Sequence, residues 1–156
     1  MCKAADVAMT MVNESIRLAE ETRDVNYYMD FVKLHKLLYL GQCYMLGIHD
    51  RPLFEETVSA HQCGPNVENI HFVPAERGFG VIDTPFSEDD IVRPSLVRID
   101  AIEWVLRNYG NKKTEFLVEY AKSTEPYKKV AAGITDTDKP TISTEDMKDW
   151  FSHLDK

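Results

Sequence analysis

Residues 35–67 read HKLLYLGQCYMLGIHDRPLFEETVSAHQCGPNV, and the change of pattern inside that stretch decides the fold. Its first part continues a helical spacing that begins near Tyr28 and runs through Phe31, Leu34, Leu37, Leu38, Gly41, Tyr44 and Met45. That surface is too broad for one apolar stripe, so the spacing predicts a central helix buried on more than one side. Gly47, with Pro52 close behind, is the expected stop. From Leu53 to Gln62 polar residues mix with β-branched ones, which predicts a short strand near residues 53–63 running into a Gly64-Pro65 turn.

Helical patterns continue on both sides of this stretch. Residues 4–21 place Val12, Ile16 and Ala19 beside a second stripe of Val7, Met11 and Leu18, with Asn13, Glu14, Arg17 and Glu20 on the polar side. Residues 66–77 read as a short helix or irregular turn broken by Pro74, and a loop follows to residue 95 with one further strand expected at 81–83. A helix through Ile99, Ile102, Val105, Leu106 and Tyr109 should stop at Gly110, and Thr114 is placed to cap the next, which aligns Phe116, Leu117, Tyr120 and Ala121. Pro126 suits the start of a short helix to Val130. After a loop over 133–141, Ser143 and Asp146 have capping-box spacing ahead of Met147, Trp150, Phe151 and Leu154. No repeat or linker divides the chain, so the expectation is one mainly helical domain over residues 1–156 with a small β-hairpin or short strands.

Composition narrows the function classes. At 156 residues with 44% apolar and 28% charged side chains, the chain can bury one ordinary core. It has no apolar run of membrane-spanning length, and Asp6, Asn13 and Glu14 interrupt the N-terminus before a signal-peptide core can form. A cytoplasmic location is expected, with the three cysteines reduced. The formal charge of −8 disfavours nucleic acid as a direct partner. It favours a basic protein partner or serves solubility alone.

Cys43, His49, His61 and Cys63 supply the ligand types of a zinc site without the tight paired spacing such sites use. His61 and Cys63, two apart on the expected strand, share a face, yet no third residue orients them as a nucleophile and its base. RGFGV, residues 77–81, lacks the third glycine and the preceding strand of a dinucleotide loop. Glu55-Glu56 and Glu88-Asp89-Asp90 lack the spacing of a calcium loop and read as solvated surface. No catalytic residue, metal or cofactor is assigned.

Taken in order, Leu34, Lys36, Leu37, Leu38, Tyr39, Gln42, Pro52, Leu53, Phe54, Gly64, Pro65 and Val67 resemble the Panacea domain, the SocA-like, phage-associated antitoxin family. That family reads Leu-x-Lys-Leu-Leu-Tyr, then Gln, then Pro-Leu-Phe, then a strand into Gly-Pro-x-Val. The similarity continues through residues 104–130, where a Tyr-Gly break precedes a helix and a Pro-aromatic-Lys sequence follows. His61, Cys63, Asn66 and Tyr127 depart from the family's usual residues and bear on the partner surface.

The resemblance implies a non-enzymatic protein that neutralises a co-encoded toxin by direct contact. A subset of the family instead delivers the toxin to a protease chaperone, and a small Cys/His hydrolase or metal-dependent enzyme is the alternative from another class. Tyr39, Phe54, Phe72 and Phe79 are the expected aromatic partner contacts, together with Gly64 and Pro65. Full burial of the four aromatics would remove them from that role.

Overall fold

The computed structural model describes residues 2–70, 80–135 and 137–154. Among them are six α-helices: α1 (Ala4–Thr22), α2 (Phe31–His49), α3 (Leu96–Tyr109), α4 (Thr114–Lys122), α5 (Glu125–Ala131) and α6 (Thr144–Ser152). Strands β1 (Val58–His61), β2 (Gly64–Val67) and β3 (Thr141–Ile142) form an antiparallel sheet in the order β2-β1-β3. The architecture is mainly helical with a small sheet.

The broad apolar surface read for α2 has its physical counterpart in burial. Every residue from Lys33 to Cys43 is buried, and α6, α3, α4 and the hairpin pack around the helix. Asp30 begins it, accepting from the Lys33 backbone N–H at 2.7 Å. The helix runs past Gly47 to His49 and ends where Asp50 adopts φ 56°. Gly47 is therefore not the stop. A Cβ there would lie 2.7 Å from the Phe151 ring, so glycine serves close approach of α6 instead.

Thr114 does not cap α4; its hydroxyl donates to Asp30 Oδ2 at 3.1 Å and ties that helix to the start of α2. Ser143 caps α6 as its spacing indicated, accepting from the backbone N–H groups of Glu145 and Asp146. Asn13, on the polar side of α1, clamps the segment after residue 80: its amide donates to the Phe86 carbonyl at 2.9 Å and its carbonyl accepts from the Phe86 N–H at 2.8 Å.

The strand elements differ most from expectation. Residues 53–57 are not in a strand, and the 81–83 strand reduces to an isolated bridge between Met29 and Ile82. Gln62 and Cys63 make the turn, while Gly64 and Pro65 lie within β2, paired with His61 and Ala60. Gly64, at φ 112°, takes the positive value that realigns the strand after such a turn. The loop expected over 133–141 ends in β3, which pairs with β1. Most of the short helix or turn expected over 66–77 lies outside the described residues.

Candidate functional site: a buried polar spine and an aromatic band

The polar side chains of α2 hold other segments by their backbones. Lys36 Nζ donates to the Pro65 carbonyl at 3.0 Å and to Asn66 Oδ1 at 2.8 Å. Gln42 accepts from the Leu53 N–H at 2.6 Å and donates to the Phe54 carbonyl at 3.2 Å. Lys33 Nζ donates to the carbonyls of Asn26 at 2.7 Å and Gly110 at 2.8 Å, joining the turn before α2 to the turn after α3. Burial lowers both lysines to about 8, against the opposing pull of Asp30.

Tyr39 donates to Thr124 Oγ1 at 2.6 Å, because the Thr124 hydroxyl itself donates to the Ala121 carbonyl at 2.7 Å. Burial raises the phenol far above its ordinary value and keeps it neutral.

These contacts correct the expected partner surface. Tyr39 is 0% exposed and Phe54 1%, so neither presents a ring to another protein. Gly64 and Pro65 are buried as well. A Cβ on Gly64 would stand 2.8 Å from Lys36 Cε, so this glycine admits the lysine stem. Phe72 and Phe79 lie outside the described residues.

The cysteines and histidines are dispersed. Cys43 is fully buried on α2, and burial pushes its thiol well up, away from reactive thiolate. Cys63 is exposed in the hairpin turn, outside the paired strand residues to which His61 belongs. His61 Nε2 stands 3.6 Å from Glu68 Oε1, and His49 Nε2 stands 3.7 Å from Asp100 Oδ2. Among the described residues no three His, Cys, Asp or Glu side chains are grouped to hold a metal ion, and no helix is long and apolar enough to cross a membrane.

The aromatic surface that does reach solvent runs across three helices. Phe116 on α4 is 49% exposed and stacks on Tyr120 with centroids 6.1 Å apart. Tyr120 meets Tyr109 of α3 at 5.4 Å, with the two hydroxyls 3.2 Å apart. Tyr109 meets Trp104 edge-on at 5.9 Å, and Trp104 stacks on Tyr44 of α2 at 4.4 Å. Tyr44 donates to Asp100 Oδ2 at 3.0 Å, and buried Phe151 backs both Tyr44 and Trp104. Lys112 Nζ lies 5.6 Å from the Phe116 centroid. Tyr44, Trp104, Tyr109 and Tyr120 are each partly buried, a continuous band with one exposed end.

The sequence carried a signal for this band. Leu117 and Ala121, four apart, already make the buried stripe of α4, so Phe116 and Tyr120, also four apart, form a second stripe beside it.

Comparison with protein-family models, with curated proteins and with solved structures finds no match for this chain.

Proposed function

We propose that this chain is a protein-binding module of the antitoxin type, related to the Panacea domain, which neutralises a co-encoded toxin by direct contact. The observation that carries the reading is the aromatic band ending at Phe116, because aromatic side chains on a rigid support concentrate interface energy. The residues of the resemblance lend support by meeting in space. Lys36 reaches Gly64 and Pro65, and Gln42 reaches Leu53 and Phe54. They fix α2, which carries Tyr44, against the hairpin and residues 53–54, and the rest of the band lies in the second segment of the resemblance, residues 104–130. A formal charge of −8 favours a toxin with a basic contact face. A stable complex of ordinary size would bury about 1,200 to 2,000 Å².

The test is growth rescue with co-elution. The neighbouring open reading frame is induced in a bacterial host with and without this chain, and the two products are purified together. Rescue with co-elution, both lost in Phe116→Asp while its helical circular dichroism is unchanged, is the expected result. Toxicity that this chain neither relieves nor binds would overturn the proposal.

A further inference from the structure

Among the described residues β2 is an edge strand, with β1 on one side and no strand on the other. Backbone groups of an edge strand point alternately toward and away from the sheet, and the outward ones need another partner. On the sheet side, the Glu68 N–H donates to the Thr57 carbonyl at 2.8 Å. One residue earlier the direction reverses, and the Val67 N–H donates outward to His35 Nδ1 at 2.9 Å. Pro65 has no N–H to satisfy, and its carbonyl accepts from Lys36. Two adjacent side chains of α2, one acceptor and one donor, thus take the place of a fourth strand.

The acceptor works in one protonation state only. His35 is 6% exposed, and its Nδ1 accepts only when the ring is neutral with its proton on Nε2. The groups facing it are Lys36 and the edge-on Phe31 ring on α2, His61 on β1, and Glu68 just after β2. A proton on Nδ1 would set two donors, imidazolium and Val67 N–H, against each other beside the buried Lys36. Burial first, then Lys36 and His61, lower His35 to about 4, with Glu68 alone opposing.

We infer that His35 is an acid-sensitive latch, whose protonation releases the Val67 end of the outer edge of β2 from α2 while Lys36 keeps its hold on Pro65 and the β1–β2 ladder stays paired. This inference is independent of any toxin.

Nuclear magnetic resonance of the intact chain from pH 7 to pH 3.5 tests it. The expected result is a coupling across the hydrogen bond between the Val67 nitrogen and His35 Nδ1 at neutral pH, which disappears as His35 titrates. The protection factor of the Val67 amide should fall about tenfold, the scale of one lost hydrogen bond, while that of Glu68 holds. In His35→Gln, whose side-chain carbonyl accepts without titrating, Val67 protection should be independent of pH. Absence of the coupling at neutral pH, unchanged Val67 protection through the His35 titration, or equal loss at Val67 and Glu68 would each overturn the latch. Should the variant not fold, the wild-type coupling and the Val67 to Glu68 comparison decide alone.

Discussion

Lys36 and Gly64 are a matched pair: the ammonium needs the Pro65 carbonyl, and its stem needs a neighbour without a side chain. Gly64→Ala adds a Cβ at φ 112° and 2.8 Å from Lys36 Cε, so it should cost about 2 to 3 kcal/mol of unfolding free energy, measured by urea titration. In Lys36→Met the volume is kept but the Pro65 carbonyl and Asn66 Oδ1 lose their donor, for about 1 to 3 kcal/mol. The double variant should lose less than the two single losses added, because the methionine end can move aside without breaking a bond. The identity of these residues is plain in the sequence; their partners are not. Lys36 and Pro65 are brought together by tertiary folding, which no helical or strand period encodes. Tyr39 and Phe54 failed as surface residues for the same reason. Tyr39 on a helix buried all round, and Phe54 in the segment that packs against it, look the same in sequence as aromatic residues at a rim.

The helices were legible where each shows the solvent one polar face. α1, α3, α4 and α6 do so, and their apolar stripes locate them within a few residues, while Pro126 marks the start of α5. The hairpin was harder to place because Gln62-Cys63 is not a recognised two-residue turn pair, and the Gly-Pro that looks like a turn serves instead as the first half of an edge strand. β3, two residues long, has no period to read. Close packing of elements is likewise silent in sequence. Gly47 looked like a helix end, yet it is the point where α2 and α6 touch. Gly47→Ala should therefore destabilise by about 1 to 3 kcal/mol in thermal or urea unfolding although alanine is the better helix former, whereas an exposed-position glycine replacement would stabilise. Asp30→Ala removes the cap of α2 and the tie to Thr114, and a loss of about 1 to 2 kcal/mol by the same measurement is expected.

The aromatic band draws on α2, α3 and α4, so it exists only once the helices have assembled; that is why its members could be assigned to helix faces but not to one surface. The assembled molecule also has a stability profile set by buried bases. His35 is held near 4 in the fold against an ordinary value of 6.5, so the unfolded chain binds more protons between those values and stability falls as pH drops from 6.5 to 4. Lys33 and Lys36, held near 8 against 10.5, make stability rise with pH above 8 by the same sign. From about 9 upward the raised Cys43 thiol acts in the opposite sense, joined by Tyr39 and Tyr109 from about 10. Urea midpoints should therefore decline below pH 6.5, climb from pH 8, climb less steeply above 9, and fall beyond about 10.5. In Lys36→Met the climb should be roughly halved. Finally, the ammonium of Lys33 is satisfied by two turns, one close before it at Asn26 and the other 77 residues after it at Gly110. A chain with α2 docked but either turn unformed would strand a cation in an apolar interior, so half-assembled forms are penalised and the transition between folded and unfolded chain is driven toward all-or-none.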